Sequence, residues 1–589
     1  MRQPGLAAGV TVAIAAAGAF LMAAPTPPPD WPQWAQNPQH TGFLNVKGQD
    51  LNRIVADVVY DPLVPDEQAL NDGELLVHYQ VPLVDGNDVF MESKAGNYNK
   101  GTYSSQTWHQ NGFTWVNGQL TKMWTFDSDW IAPGSQNDFW EPVYHAALAN
   151  GFLYDPGQGG TIFKLNKGDG SVVTRINPFG KMIDPNTYTV SPLTADGAGN
   201  IYYNVLKLQN NGPFYGTDAV DSWLVKVAPD DSTKLVSYTG LNPAAPTGLC
   251  LGVFSTAQLP WPPSADAVPP MVPCGLQRVG LNIAPAVAPD GTIYTLTRGH
   301  FLIGSRHSFL LAINPDLTLK WATSLRNRFH DGCGIAPSQG GTLPPNGQPG
   351  GCRDLGPESN AAILGNDPAQ NTPGAGRVLD DESSTPTLAP DGSIFFGAYS
   401  RYNYAQGHLM HFSATGGYLG AFGFGWDSTP AIYEHNGTYS VIIKNNHYSG
   451  LGSYCNVASV CPTDRTSTNP ASPEEFFVTQ LSPNLTIEWS FKNTNTQSCT
   501  RNPNGSISCV TDHPNSFEWC VNAPVVDRTG IVYANSEDGN LYAINQGGTL
   551  RQRLFQQLAL GAAYTPTSLG SDGKIYSQNA GHLFVVAAK

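Results

Sequence analysis

Residues 282–321 read NIAPAVAPDGTIYTLTRGHFLIGSRHSFLLAINPDLTLKW, and this stretch decides the fold class. Runs of Val, Ile, Thr, Leu and aromatic residues alternate here with turns of Pro, Asp, Gly and Asn, a pattern typical of short antiparallel strands. The pattern predicts strands A to D of one sheet: strand A carries Pro285, and strands B, C and D span 292–297, 309–314 and 317–322.

The same pattern recurs along the chain. A proline early in strand A is followed eight to twelve residues later by an aromatic or Tyr-containing strand, at Pro82, Pro142, Pro192, Pro285, Pro386, Pro430, Pro524 and Pro566. Repeated small sheets bury their faces against one another, and closure into a ring removes exposed strand edges. The sequence therefore predicts an all-β fold, an eight-bladed β-propeller of four-stranded antiparallel blades.

The two ends of the chain are predicted to meet in the last blade. The eighth repeat ends at Lys589 directly after its strand C, whereas an unassigned strand, RIVADVVYD, occupies 53–61 before the first repeat. We expect this N-terminal strand to supply the missing strand D and to close the ring.

The residues before the repeats predict export. Residues 1–24 contain one Arg followed by a run rich in Ala, Gly, Val and Leu, which is typical of a secretory signal peptide or, alternatively, of an N-terminal membrane anchor. Residues 25–48 are a Pro-rich spacer and opening segment, and residues 49–589 form the propeller. The expected location is periplasmic, cell-surface or extracellular, and the mature chain has no membrane span if the signal is cleaved.

Composition agrees with an exported all-β protein. The chain has 62 Gly and 47 Pro, and only 13% of its residues are charged. Its net charge of −15 excludes a nucleic-acid partner bound through a basic surface.

Nine cysteines follow the signal region, and none has the CxxC spacing of a zinc or redox site. In an oxidising compartment, cysteines within one loop are expected to pair. The predicted disulfides are Cys250–Cys274, Cys333–Cys352, Cys455–Cys461 and Cys499–Cys509, with Cys520 left over.

The long insertions are predicted to project from one end of the propeller. In an antiparallel blade the A–B and C–D turns share one face, and the B–C and D–A loops share the other. The insertions are D–A or B–C connections, at 206–222, 242–280, 327–381, 446–473 and 493–520. Long loops in a compact domain are usually functional, so one loop-bearing face opposite a plain face predicts a binding surface.

The opening residues 31–42, WPQWAQNPQHTG, and hairpins such as LLAINPDLTLKW at 310–321 resemble the PQQ-like (quinoprotein-type) eight-bladed β-propeller superfamily, in its exported members. Enzymatic members hold pyrroloquinoline quinone (PQQ) and Ca²⁺ in an axial funnel and oxidise alcohols or sugars with an Asp base. Non-enzymatic members bind partner proteins with their loops. This chain departs from the dehydrogenases because no two of its cysteines are adjacent, and it has no CxxCH haem segment.

Residues just before the strand A prolines are expected near the axis on the loop-bearing face. They are Glu141, Tyr188, Asn282, Glu382, Asp427 and Asn522. Carboxylates with Asn amides suit a hard cation such as calcium, with Glu382 and Asp427 as the candidate metal ligands. The alternative is that these polar groups line a water-filled channel and cap the strand starts.

Two further groups are candidate ligand-binding residues. Arg298 and His300 lie in the predicted B–C loop of blade 4, and His447 lies in that of blade 6. A His beside an Arg can act as the base in uronate β-elimination or bind an anion, although a loop His is commonly an ordinary exposed residue. Tryptophans in or beside the loops are candidate stacking platforms or small loop cores: Trp108, Trp130, Trp140, Trp261 and Trp519.

These observations favour an exported, non-catalytic binding or scaffold protein that uses its disulfide-stapled loop face to bind a protein or a carbohydrate. The second hypothesis is a PQQ- and Ca²⁺-dependent alcohol or sugar dehydrogenase. The third is a propeller polysaccharide lyase.

Overall fold

The computed structural model describes residue 1 and residues 30–589, outside these positions: 72, 74, 76–79, 97–101, 103–104, 134–142, 210–217, 252–270, 301–307, 326–364, 368–371, 375–383, 399–406, 448–473, 520 and 561–565. Eight antiparallel sheets follow one another along this chain, so the predicted eight-bladed, all-β propeller is confirmed.

The first four blades follow one another in chain order. Blade 1 has strands Leu83–Asp85, Asp88–Ala95, Thr107–Val116 and Gln119–Ser128. Blade 2 has strands Ala147–Ala149, Phe152–Gly157, Thr161–Asn166 and Val172–Ile176. Blade 3 has strands Thr187–Thr189, Thr194–Ala195, Ile201–Leu208, Ala219–Val227 and Thr233–Ser237. Blade 4 has strands Leu276–Val279, Ala286–Val287, Ile293–His300, Phe309–Ile313 and Leu319–Ser324.

The last four blades complete the ring. Blade 5 has strands Thr387–Leu388, Ile394–Ala398, His408–Phe412 and Tyr418–Phe422. Blade 6 has strands Ala431–His435, Thr438–His447, Glu475–Leu481 and Ile487–Lys492. Blade 7 has strands Val525–Asp527, Val532–Asn535, Asn540–Asn545 and Thr549–Phe555, with Phe43–Leu44 added beside the first. Blade 8 has strands Ser568–Leu569, Ile575–Asn579 and His582–Ala587, and its outer strand is Arg53–Val59.

The predicted closure of the ring is confirmed. Arg53–Val59 pairs antiparallel with His582–Ala587, so the N-terminal strand is strand D of the blade that ends the chain. Smaller elements lie outside the blades: the strand pairs Leu249–Leu251 with Met271–Pro273, Gly365–Asp367 with Thr372–Gly374, and Gln497–Arg501 with Ile507–Thr511, and helix α1, Val64–Leu70.

Residues 31–49 form a feature that the repeat pattern did not predict, and we call it the axial strap. It contacts the eight blades in order. Its backbone contacts are Trp31 with Val84, Pro32 with Leu148, Pro38 with Val287, Gln39 with Leu388, Thr41 with Ile432, Gly42 with Val526 and Gln49 with Gly573, and the Gln33 side chain bonds the backbone of Ala195 in blade 3.

The strap closes the plain end of the axis. An extended chain spans at most about 3.6 Å per residue. A segment as short as 31–49 can therefore contact eight blades only where their inner strands lie close around one axis. The contacted residues of blades 1, 4 and 5 lie directly before the A–B turns, for example Val84 before the turn at 86–87. The strap therefore lies at the plain end of the axis.

Candidate functional site at the loop-bearing face

Two of the predicted axial amides connect blades to one another. Asn282, before strand A of blade 4, donates its backbone N–H to Val190 O (2.8 Å), and its Oδ1 accepts the N–H of Val143 (3.2 Å). Asn522, before strand A of blade 7, accepts the Thr429 N–H at its own carbonyl (2.9 Å) and at Oδ1 (3.0 Å). Both side chains are buried. Each amide thus satisfies the backbone of another blade, which is the capping role expected of polar groups at strand starts.

The acidic candidates are placed only in part. Asp427 is buried between blades 5 and 6 with a left-handed φ of 44°. Glu141 and Glu382 lie outside the described residues, so the candidate calcium pair Glu382 and Asp427 stays a prediction. Within the described part of the chain, no group of three or more His, Cys, Asp or Glu side chains is arranged to hold a metal ion.

Two buried histidines near the axis were missed by sequence reasoning. His40, in the axial strap, has Nδ1 2.9 Å from Pro386 O and 3.1 Å from Thr385 Oγ1. His145 accepts the Val81 N–H at Nε2 (3.2 Å), and its ring packs edge-on against Trp34 of the strap. Burial lowers the pKa of His40 to about 4 and that of His145 to about 3, so both rings are neutral at pH 7. The only signal in the sequence was the position of each histidine: His145 lies just before strand Ala147–Ala149, and His40 lies in the opening segment.

The blade 4 candidates lie in a strand and not in a loop. Strand B continues to His300, three residues beyond the predicted end, because the added strand Leu276–Val279 pairs with it and places Arg278 opposite Arg298. The predicted loop position of Arg298 and His300 is therefore wrong. Residues 301–307, which follow His300 and contain Arg306 and His307, lie outside the described residues.

Arg298 and His300 belong to a buried polar cluster. Arg278 Nε donates to His300 Nδ1 (3.1 Å), and His300 Nε2 lies 2.7 Å from Asp218 Oδ1. Arg278, Arg298 and His300 are at most 5% exposed. A base for proton abstraction must reach its substrate, whereas the His300 ring is buried between Arg278 and Asp218. The contacts of the cluster join the added strand to blade 4 and to the blade 3 loop.

His447 likewise ends a strand. Strand B of blade 6 reaches His447, which pairs with Glu475 across the sheet, so its predicted loop position is wrong. Its Nε2 lies 2.9 Å from Asn445 Oδ1, and its ring packs against Phe477. The side chain is 5% exposed and is part of the sheet surface.

The predicted stacking platforms are largely core residues. Trp108, Trp130 and Trp519 are at most 1% exposed, and the rings of Trp108 and Trp130 meet edge to face at 5.3 Å. Their proposed role as exposed platforms is therefore wrong, and they pack in the hydrophobic clusters of the blades and not in small cores confined to the loops. Trp140 and Trp261 lie outside the described residues.

One predicted disulfide is confirmed. Cys499 and Cys509 face each other in the two strands of the 497–511 hairpin and form a disulfide. Cys274 is disulfide-bonded, in agreement with the predicted Cys250–Cys274 pair, of which the Cys250 side chain is not described. The remaining predicted partners, Cys333, Cys352, Cys455 and Cys461, lie outside the described residues.

The 497–511 hairpin is the best described insertion of the loop-bearing face. Arg501 anchors it to blade 7, because the guanidinium donates to Phe555 O (2.7 Å) and Gln556 O (3.2 Å) and lies over the Phe555 ring. Every residue of its second strand, Ile507–Thr511, is exposed, and Val510 reaches 65%. The hairpin therefore presents apolar side chains on a rigid, disulfide-linked support.

Comparisons with known proteins bear on architecture alone. No family model and no curated protein matches the chain. Among solved structures, a europium-containing methanol dehydrogenase is similar over 93% of this chain and 89% of its own, with 12% identity and a TM-score of 0.49. The quinohemoprotein alcohol dehydrogenase from Comamonas testosteroni covers 95% and 80%, with 11% identity and a TM-score of 0.45. BamB from Moraxella catarrhalis covers 91% and 98%, with 11% identity and a TM-score of 0.37. Similarities this distant assign no activity, cofactor or partner to this chain.

No helix in the described part of the chain is long and apolar enough to cross a membrane.

Proposed function

We propose that this protein is an exported, non-catalytic binding protein that recognises a protein partner with its loop-bearing face. Export is supported by the Cys499–Cys509 disulfide, because structural disulfides persist mainly in oxidising compartments. The signal-like residues 1–24 support the same location.

The observation that carries the proposal is the use of the axial polar groups by the protein itself. An axial enzyme site needs polar side chains that point at a substrate or a cofactor. In the described residues, Asn282, Asn522 and His145 instead accept backbone N–H groups of other blades or strands. The strap also closes the plain end. These contacts support our proposal that recognition takes place at the periphery of the loop-bearing face.

The hairpin supplies the kind of surface that a protein partner needs. Exposed apolar residues on a rigid support bind with little loss of conformational entropy, and Ile507 and Val510 are 46% and 65% exposed. The disulfide and the Arg501 anchor hold these side chains in place before binding.

The first experiment separates binding protein from dehydrogenase. The purified mature protein is unfolded thermally with PQQ plus Ca²⁺, with each alone, and with neither. A ligand specific for the native state adds about 2.7 kcal/mol at one hundred times its Kd. We expect no rise in Tm that requires both additions. A rise that needs PQQ and Ca²⁺ together would establish the dehydrogenase hypothesis instead.

The second experiment locates the binding face. Partners in an exported-protein fraction are captured with the intact protein, with Val510→Lys and with Val116→Lys. Val116 is 48% exposed beside the C–D turn of blade 1, at the plain end, so it is a matched control. We expect Val510→Lys to lose the captured partner and Val116→Lys to retain it. Loss with Val116→Lys alone would place recognition on the opposite face.

A further inference from the structure

Two buried carboxyl side chains point into the interface between blades 1 and 2. Glu92 lies in strand B of blade 1 on the same side as Phe90, whose ring packs against Trp124 and thereby towards blade 2. Asp155 lies in strand B of blade 2 on the same side as Leu153, which belongs to the hydrophobic cluster shared with blade 1. Side chains alternate along a strand, so Glu92 and Asp155 point into one interface, and both are fully buried.

Neither carboxyl group has a cationic partner within hydrogen-bonding distance among the described residues. Glu92 Oε1 accepts the Gln80 N–H (2.6 Å), and Asp155 Oδ2 accepts the hydroxyl of Tyr144. Glu92 Oε2 and Asp155 Oδ1 have no hydrogen-bond partner in the described part of the chain. Gln110 lies directly across the sheet from Glu92 and is buried, and neither its Oε1 nor its Nε2 has a hydrogen-bond partner in the described part of the chain. A buried ionised carboxylate that has no cationic partner, and that has one oxygen without a hydrogen bond, is costly.

The charged groups around this pair do not neutralise it. Lys94, two residues after Glu92, bonds Asp61 Oδ2 (3.0 Å) and lies 2.8 Å from Glu67 Oε2 of helix α1. In addition to burial, the negative charges of Asp155 and Asp61 raise the pKa of Glu92, whereas the positive charge of Lys94 lowers it.

The uncharged titratable groups packed here are Tyr60, Tyr144 and His145. Burial raises the pKa of both tyrosines, so their hydroxyl groups stay neutral at pH 7. Burial lowers the pKa of His145 to about 3, so its ring carries no positive charge at that pH.

We propose that Glu92 and Asp155 form a proton-binding pair that makes the contact between blades 1 and 2 sensitive to pH. In the protonated form the two carboxyl groups carry no charge, and the interface stays closed. Ionisation places negative charges in a buried interface with no free counter-charge among its described neighbours, and the two blades separate locally. This inference does not depend on the proposed binding function.

The sign of the pH effect follows from burial. Burial raises the pKa of Glu92 and of Asp155 above the ordinary carboxyl range, with the nearby acids adding to the effect on Glu92 and the Tyr144 hydroxyl opposing it at Asp155. The folded state therefore binds protons more tightly than the unfolded state. The stability contributed by the pair is fully present below the unfolded pKa and is lost as the pH rises through the raised folded values.

Two measurements test the pair. Infrared difference spectra of the wild-type protein should show a protonated carboxylic acid band near neutral pH that disappears in alkaline solution. The protection factors for hydrogen exchange in strands Asp88–Ala95 and Phe152–Gly157, which are exchange rates corrected for the intrinsic base-catalysed rate at each pH, should fall over the same pH range. Both signals should be absent or pH-independent in the isosteric double variant Glu92→Gln/Asp155→Asn. The exposed Asp169 supplies the control, and Asp169→Asn should behave as the wild-type protein.

Three results would overturn the proposal. One is a wild-type spectrum without a protonated acid band, which needs no variant to be folded. Another is a fall in the protection factors of the two strands in alkaline solution that is equally large in the double variant. The third is a rise in wild-type Tm with Ca²⁺, Mg²⁺ or Na⁺ at neutral pH that the double variant lacks, because the pair would then bind a metal cation in place of protons.

Discussion

The axial strap is expected to stabilise the ring through close contacts that tolerate no added atom, and Gly42 tests this most directly. Its φ is +60°, and a Cβ at this position would lie 2.6 Å from Pro524 O and 3.1 Å from Ala431 Cβ. A left-handed φ costs a non-glycine residue roughly 1–2 kcal/mol. Forcing an extra methyl group into packed surroundings costs roughly a further 1–3 kcal/mol. Gly42→Ala should therefore lower the free energy of unfolding by about 2–5 kcal/mol in total.

Gly86→Ala is the matched control. Gly86 has nearly the same φ, +61°, but a Cβ there would meet nothing within 4 Å. Its substitution carries the conformational cost without the clash, so the difference between the two variants isolates the strap contact. Equilibrium urea denaturation, followed by tryptophan fluorescence and circular dichroism, should give Gly42→Ala a free energy of unfolding about 1–3 kcal/mol lower than that of Gly86→Ala. Equal destabilisation of both variants would refute the idea that the strap is tightly packed against blades 6 and 7.

Three further predictions concern groups already described. His40→Gln should reduce the loss of stability in acid, measured by urea denaturation at successive pH values. Because the pKa of His40 is lowered to about 4, the wild-type protein should lose up to about 3 kcal/mol of stability as the pH falls from about 6.5. An equal loss in the variant would contradict this. Asn522→Ala removes the side-chain acceptor of the buried Thr429 N–H but keeps the Asn522 carbonyl as an acceptor, so it should lower the free energy of unfolding by about 0.5–1.5 kcal/mol, whereas the same change at the exposed Asn504 should have little effect. Cys499→Ser/Cys509→Ser should speed proteolysis within 497–511 and leave the Tm of the ring nearly unchanged, because the hairpin lies outside the blades; a large fall in Tm would show that the hairpin supports the ring.

The propeller could be predicted because its physical cause is written in a repeated local pattern. Each blade carries its own proline, turn residues and alternating strands, and an all-β array of this kind has to protect its edges. The closure by Arg53–Val59 followed from counting, since the eighth repeat lacked one strand and the N-terminus had one to spare. These inferences needed no knowledge of side-chain contacts across the fold.

The site could be predicted less well because its residues are positioned by partners distant in sequence. Arg298 and His300 were assigned to a loop, yet the strand Leu276–Val279 extends their own strand by pairing with it. The length of a strand depends on whether a neighbour offers hydrogen bonds, and that neighbour was hidden in an insertion without the repeat pattern. Trp108 was misjudged for a similar reason, because its burial depends on Trp130 and Tyr144 from another part of the chain.

The polar residues at the axis and the apolar residues at the periphery differ in whether the fold itself accounts for them. Strand starts converge at the axis, and each brings backbone N–H groups that must be satisfied where water is scarce. Asn282, Asn522 and His145 satisfy such groups, so their polarity is explained by the architecture without a ligand. The exposed strand Ile507–Thr511 has no comparable structural need for Ile507 and Val510. The Val510→Lys capture experiment therefore tests the functional proposal at a residue whose apolar character the described contacts of the fold do not require.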